Sequence, residues 1–161
     1  MLHPEVFSIT RLLRGAGVRF WLIGGQATEL VCGSSREQGL RLHDDIDFFL
    51  HADDAAWAVG VLEASGFVYA HGALEEGNLF LKRGELLLDL VPILPDPLRT
   101  LGALAGIKWP PELLISHVVR GVPTLTPAMQ LAMKRAVSQF YSLPLRPRDL
   151  LDESALNTLL A

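Results

Sequence analysis

The segment from Asp45 to Phe48 alternates acidic and apolar residues, a pattern that is typical of a β-strand with one buried face. Successive side chains of a strand point to opposite faces, so Asp45 and Asp47 project together, roughly 6.5–7 Å apart at the backbone. Ile46 and Phe48 project the other way and need a hydrophobic core to cover them. The two carboxylates either share a cation or lie solvated on an edge strand, because like charges at this range repel each other. The segment therefore predicts a strand with one apolar and one acidic face.

Apolar periodicity predicts the elements around this strand. Before residue 100 we predict helices between Pro4 and Gly15, over 26–32 and over 55–64, with Asp53 as the N-cap of the helix over 55–64. In the same part of the chain we predict strands over Phe20–Ile23, 67–70, 79–82 and 86–91. After residue 111 we predict strands over 113–119 and 122–125, a helix that begins after Thr126, and a last helix over 148–160. The segment over 92–111 is rich in proline and glycine and supports no assignment. This order predicts an α/β (α+β) domain, a small mixed β-sheet flanked by helices, with C-terminal helices.

Composition narrows the class of protein. A chain of 161 residues has the size of one domain and can bury a core without covalent staples. A single cysteine, Cys32, excludes an internal disulfide, and no Cys/His motif supplies a zinc site. The net charge of −4 argues against broad nucleic-acid binding and against a polybasic membrane surface. No apolar run is long enough to span a membrane, and the first residues lack a secretion signal, so we expect a cytoplasmic protein.

Two further features carry chemistry. Gly24-Gly25 lies between a predicted strand and a predicted helix, where it forms either an ordinary turn or a backbone cradle for phosphate oxygens. Asp89 lies within an apolar strand, where a charge is costly unless it is paired, metal-bound or facing a wet cleft. Neither GxGxxG nor GxxxxGK[ST] is present, which excludes the Rossmann and P-loop motifs.

Three motifs taken together resemble those of the nucleotidyltransferase superfamily of DNA polymerase β. They are Ile23-Gly24-Gly25, the run RLHDDIDF from Arg41 to Phe48, and Leu87-Leu88-Asp89. Within it, the chain is most similar to the small aminoglycoside 2″-O-nucleotidyltransferases and the lincosamide nucleotidyltransferases. The resemblance spans about residues 5–95. It implies a minimal nucleotidyltransferase fold in a single domain over 1–161, with a catalytic core over 1–95 and a helical C-terminal portion over 126–161.

The resemblance also implies roles for the matching residues. Asp45 and Asp47 would hold Mg²⁺ (or Mn²⁺) against the triphosphate of an NTP co-substrate. Asp89 would be a third metal ligand or the general base that takes the proton of the attacking hydroxyl. Gly24 and Gly25 would let the backbone close on the β- and γ-phosphates.

Three more residues are predicted to bind the nucleotide. Gln26 directly follows the glycine pair. Arg41 is either a phosphate ligand or a loop arginine paired with Asp44. Lys134 resembles a basic residue that many relatives place over the phosphates, and the alternative is an ordinary solvent-facing helix lysine.

Two explanations remain open for a second set of residues. The last predicted helix begins with a group of charged residues that is similar to a charged ending seen in relatives, namely Arg146, Arg148, Asp149 and Asp152. Helix capping or surface charge explains this group equally well. Trp109, beside two prolines, is either a core residue or a side chain that stacks on a nucleobase.

The implied reaction moves an NMP from an NTP to a hydroxyl of a small molecule, with an aminoglycoside or a lincosamide antibiotic as the named acceptor, and releases pyrophosphate. Gln26-Ala27 departs from the aminoglycoside group, which has tryptophan after the glycine pair. The acidic residues that could bind a polycation are Glu75, Glu76, Asp54 and Asp96.

Two alternatives remain: a toxin–antitoxin or abortive-infection type of transferase that modifies protein or tRNA, and a non-catalytic dimeric scaffold of the same fold. The mean hydropathy of +0.30 predicts either a well-filled core or an apolar patch that a homodimer would bury.

Overall fold

The computed structural model describes residues 2–33 and 45–161, which form an eight-stranded mixed sheet and five α-helices. In chain order the elements are α1 (Glu5–Gly15), β1 (Phe20–Ile23), α2 (Gly24–Cys32), β2 (Asp45–His51), α3 (Ala52–Ala64), β3 (Val68–Ala73), β4 (Asn78–Arg83), β5 (Leu86–Pro95), β6 (Leu98–Thr100), β7 (His117–Val119), β8 (Val122–Thr124), α4 (Pro127–Tyr141) and α5 (Pro147–Leu160). The α/β class and the C-terminal helices predicted from the sequence are confirmed.

The sheet has the strand order β3-β4-β5-β2-β1-β8-β7, with β6 paired to the end of β5. β2 lies at its centre, antiparallel to β1 and parallel to β5. In this register Asp47 is opposite Ile23 on one side and Asp89 on the other. Two acidic positions that are far apart in sequence therefore meet on adjacent strands.

Each face of the sheet packs against its own apolar cluster, because alternate residues of the central strands point to opposite faces. On one face Leu22, Phe48 and Leu88 pack against α1 and α3 in the larger cluster. On the other face Phe49 and Val91 belong to a second cluster, which includes side chains of α4 and of the 104–114 segment. Asp47 and Asp89 precede Phe49 and Val91 by two residues, so their side chains lie on this second face.

Two helices begin earlier than predicted. α2 starts at Gly24, immediately after β1, because Gly24 adopts φ +70° and turns the chain straight into the helix. α3 starts at Ala52, and its N-cap is His51, whose Nδ1 accepts a hydrogen bond from the backbone N–H of Asp53 at 3.1 Å. The prediction of Asp53 as the cap is wrong.

The second half of the chain departs further from the prediction. β5 continues to Pro95 and pairs with β6, so the segment over 92–111 contributes to the sheet. The strand predicted over 113–119 is limited to His117–Val119. The preceding residues form turns, as shown by the hydrogen bond that the N–H of Leu113 donates to the carbonyl of Pro110 at 3.0 Å.

Apolar side chains remain exposed on the last two helices and the segment that joins them, namely Phe140, Tyr141, Leu143, Leu150, Leu151, Leu159 and Leu160. The homodimer predicted from the mean hydropathy requires an exposed apolar surface of this kind, and the homodimer stays a prediction. Within the described ranges, no helix combines the length and the apolar character that crossing a membrane requires.

The cap of α4 gives a direct test of the helical boundary. The Thr126 hydroxyl accepts a hydrogen bond from the backbone N–H of Met129 at 3.2 Å, so Thr126→Ala should lower the free energy of unfolding by about 1 kcal/mol. Thr158→Ala is the control, because that exposed hydroxyl only donates to the carbonyl of Ser154 within α5; its effect should stay within about 0.5 kcal/mol. Urea unfolding measures both, and equal losses would contradict the assignment.

Candidate active site

A cleft of about 440 Å³ opens over the second face of the sheet. Its floor includes Asp47 on β2 and Asp89 on β5, and its walls come from several other parts of the chain. The walls include Gly24 at the start of α2, Gln130, Met133, Lys134, Val137, Ser138 and Tyr141 on α4, the joining segment from Leu143 to Arg146, and Leu104, Ile107 and Trp109.

Asp47 and Asp89 meet in the cleft because β2 and β5 are parallel and in register at these two residues. Asp45 is two residues earlier on the same face of β2, where its register partner is Leu87. Its charge acts on Asp89 across the strand pair. The strand alternation predicted from the sequence thus brings the three predicted carboxylates to one region of one face.

The environment of Asp89 alters the pKa of its carboxyl group. Burial raises its pKa to about 6, the neighbouring charge of Asp45 adds to that effect, and a hydrogen bond from Asn78 opposes it. Asn78 Nδ2 donates that bond to Asp89 Oδ1 at 3.0 Å. A carboxylate with a pKa near neutrality, oriented by a neighbouring amide, has the properties of a general base.

Gly24 and Asp47 are in close approach. A Cβ atom at Gly24 would lie 2.2 Å from Asp47 Oδ2, and the residue already has the positive φ that favours glycine. Only a residue without a side chain leaves this space beside the carboxylate. The backbone at the start of α2, the positive end of the helix dipole, therefore borders the acidic part of the cleft.

Two cations line the cleft from the C-terminal helices. Lys134 Nζ lies 3.2 Å from Asp152 Oδ2 and 3.6 Å from Asp149 Oδ1. Arg146 donates from Nε to Asp149 Oδ2 at 2.7 Å and from Nη2 to Asp149 Oδ1 at 3.3 Å. Lys134 is not the solvent-facing lysine that the sequence left as an alternative, because its side chain is only 13% exposed.

A third part of the lining is apolar. The Trp109 ring packs edge-on against Phe49, with ring centroids 5.6 Å apart, and its Nε1 donates to Thr100 Oγ1 at 3.1 Å. Leu104 and Ile107 lie on the same segment and also line the cleft. Trp109 thus belongs to the core through one edge of its ring and also borders the cleft.

The chain folds like solved nucleotidyltransferases. It superposes on the lincosamide antibiotic adenylyltransferase LnuA with lincomycin bound at a TM-score of 0.73, covering 97% of this chain and 97% of that one, with 21% sequence identity. It superposes on ANT(2″)-Ia in complex with adenylyl-2″-tobramycin at a TM-score of 0.72, covering 99% of this chain and 91% of that one, with 16% identity. The chain has the nucleotidyltransferase fold. No protein-family model and no curated protein sequence matches it.

The nucleotidyltransferase fold implies a divalent cation, and the donor set can be compared with that need. Within residues 2–33 and 45–161, no three His, Cys, Asp or Glu side chains are grouped as a complete metal site. Mg²⁺ is commonly held by one or two carboxylates, with waters and substrate phosphates as the other ligands. Asp47 supplies that chemistry, with Asp45 two residues earlier on the same face of β2, and the glycine at position 24 keeps the space beside Asp47 open. The residues fit a cation shared with a phosphate ligand rather than one enclosed by protein.

Not every residue predicted for the nucleotidyltransferase site lies in the cleft. Gln26 is buried, its Oε1 accepts from the backbone N–H of His3 at 2.7 Å, and neither it nor Gly25 is among the described residues that line the cleft. Arg41 lies outside the described residues, so its prediction stays untested. The acidic residues suggested for binding a polycation, Glu75, Glu76, Asp54 and Asp96, are also absent from the lining that the described chain provides.

Sequence reasoning missed Asn78 and Gln130. Asn78 begins β4, a position that the prediction placed just before a strand, and only the pairing of β4 with β5 brings it to Asp89. Gln130 is buried, and its Nε2 donates to the carbonyl of Leu125 at 3.0 Å. The available sequence signal for Gln130 was a polar residue among the apolar residues of the predicted helix after Thr126.

Proposed function

We propose that the protein is a Mg²⁺-dependent nucleotidyltransferase that moves an NMP from an NTP to a hydroxyl of a small molecule and releases pyrophosphate. The observation that carries this proposal is the meeting of Asp47 and Asp89 in one cleft, beside the glycine that starts α2. The fold shared with two antibiotic-modifying enzymes supports the same reaction class.

The chemistry assigned to the chain is positioning and proton transfer. Asp89, held by Asn78, accepts the proton of the acceptor hydroxyl as its oxygen bonds to the α-phosphorus. The bond from the α-phosphorus to the bridging oxygen breaks, and the electron pair leaves with pyrophosphate. No protein nucleophile takes part, so a two-step covalent route is not needed.

The triphosphate is assigned to the cationic side of the cleft. Lys134, Arg146 and the backbone at the start of α2 all face this region, and each favours phosphate oxygens. Asp45 and Asp47, on one face of β2, would hold the divalent cation, which would neutralise charge on the phosphates, and Asp89 is assigned to proton transfer.

The acceptor is assigned to the apolar part of the lining. This part includes Leu104, Ile107 and Trp109, and Leu104 packs beside Gly77, which precedes Asn78, the partner of Asp89. Asp149, a further carboxylate in the lining, is already paired with Lys134 and Arg146. A partly apolar acceptor of low charge, such as lincomycin, fits this surface better than a polycation such as tobramycin.

The test is product formation. Purified protein with Mg²⁺ and each of the four NTPs in turn is incubated with lincomycin or tobramycin, and products are read by mass. We expect an NMP adduct of lincomycin, a much weaker one of tobramycin, and neither when EDTA replaces Mg²⁺. NTP binding without any antibiotic adduct would overturn the acceptor and lead to the protein or tRNA alternative. A chain that neither binds NTPs nor releases pyrophosphate would overturn the reaction class and favour the scaffold.

A further inference from the structure

The charged network between α4 and α5 is organised around one fully buried acid. Asp152 has a side-chain exposure of 0%, and its Oδ2 lies 3.2 Å from Lys134 Nζ. A buried, ionised carboxylate lowers the stability of the folded protein unless a positively charged partner lies next to it. Asp152 lies outside the lining of the cleft as the described residues form it, and its contact with Lys134, which is in that lining, connects it to the cleft.

Asp149 links the same lysine to the arginine. It lies 3.6 Å from Lys134 Nζ, and it accepts two hydrogen bonds from the Arg146 guanidinium. The hydrogen bonds that Arg146 donates to Asp149, and then the negative charges of Asp149, Asp45 and Asp47, raise the pKa of Arg146 above its ordinary value, although burial opposes this. Arg146 is thus fixed on one side by α5 and lies within electrostatic range of the acidic strand.

We propose that Asp152 and Asp149 are positioning residues that hold Lys134 and Arg146 at the cleft, which makes α5 part of the triphosphate-binding site. This inference rests on the proposed function. The Lys134 ammonium has three N–H donors, so one remains beyond those directed at the two acids, and the Nη1 group of Arg146 carries two more. Because both side chains are long, fixing them in advance lowers the entropy lost when a triphosphate binds.

The chain offers two matched controls on the same helix pair. Glu153 also joins α5 to α4, through Arg135 at 3.2 Å, but this ion pair is on the exposed side and away from the cleft lining. Leu156 is fully buried against Leu131 and Cys32, so Leu156→Ala loosens the docking of α5 without removing a charge. Glu153→Gln tests whether the loss of any ion pair between α4 and α5 is enough to weaken binding. Leu156→Ala tests the effect of looser docking of α5.

The experiment measures the dissociation constant of ATP and GTP with Mg²⁺, and of inorganic tripolyphosphate, for the wild type, Asp152→Asn, Glu153→Gln and Leu156→Ala. We expect Asp152→Asn to weaken binding of the triphosphate probes about tenfold, because the charge-assisted hydrogen bond that Lys134 donates to Asp152 becomes a weaker one to a neutral amide oxygen. It should raise the KM for the NTP and leave the KM for the acceptor unchanged. Glu153→Gln should match the wild type.

Three outcomes would overturn the inference, and they are distinguishable from one another. Wild-type affinity in Asp152→Asn would show that Asp152 does not position Lys134. If Leu156→Ala lost as much triphosphate affinity as Asp152→Asn, and the Tm of both variants fell by the same amount, α5 would act only through the stability of the fold. In both cases the proposed function stands if the wild type binds NTP. No binding of any triphosphate by the wild type would remove the proposed function and this inference with it.

Discussion

Asp89→Asn should reduce the rate of nucleotide transfer by about 10²–10⁴-fold, the usual contribution of a general base. Asparagine keeps the shape of the side chain and can still accept the hydrogen bond from Asn78, but it cannot take a proton. Steady-state kinetics with the preferred NTP measures the loss. Asp54→Asn is the matched control, because that carboxylate is paired with Arg19 away from the cleft and its loss should leave kcat unchanged.

The same substitution should change the pH dependence of stability in metal-free buffer. The folded-state pKa of Asp89 is about 6, above the ordinary carboxyl value, so the folded protein binds this proton more tightly than the unfolded chain does. The wild type should therefore lose roughly 2–3 kcal/mol of unfolding free energy from this group between pH 4 and 7.5. Asp89→Asn should not show this loss, so its stability relative to the wild type should rise with pH.

Urea unfolding with EDTA at four or five pH values checks this expectation. A stability difference that stays constant with pH would show that burial does not disfavour the ionised form of Asp89. Reduced kcat together with improved relative stability at neutral pH would identify a carboxylate kept at the site for chemistry at a cost in stability.

The acidic part of the site was predictable because it depends on strand periodicity. The alternation of Asp45 and Asp47 with Ile46 and Phe48 fixed which face each side chain takes, and the apolar residues around Asp89 marked a second strand with one charge. Pairing of these two strands in register is a tertiary fact, and the resemblance to a known family was needed to anticipate it.

The apolar and cationic parts of the site were not predictable in the same way. The segment over 92–111 has no clear period, so β6 and the apolar wall around Trp109 could not be assigned. The partners of Lys134 lie on a different helix, 15 and 18 residues away, and sequence spacing alone does not show which face of α5 packs on α4. Gln26 shows the opposite error, because adjacency to a motif suggested a site residue where the structure has a buried contact to His3.

Gly24→Ala should reduce the transfer rate by about 10²-fold or more while the protein stays folded. The new Cβ would lie 2.2 Å from Asp47 Oδ2, which is closer than non-bonded atoms approach, so the carboxylate has to rotate away from its place in the cleft. Displacement of a reacting or ligand-holding group by about 1 Å is enough for a loss of that size. Kinetics of the variant with saturating NTP and acceptor measures it.

The matched control separates this contact from backbone strain. Gly17 has φ +77°, close to the φ +70° of Gly24, but nothing lies within 4 Å of the place where its Cβ would stand. Both alanine variants should lose about 1–2 kcal/mol of unfolding free energy from the left-handed backbone, and only Gly24→Ala should lose activity. If Gly17→Ala lost as much activity as Gly24→Ala, general destabilisation would explain the effect. If instead Gly24→Ala kept its activity, Asp47 would not need the position next to α2, and the conformation of that carboxylate could not be what organises the site.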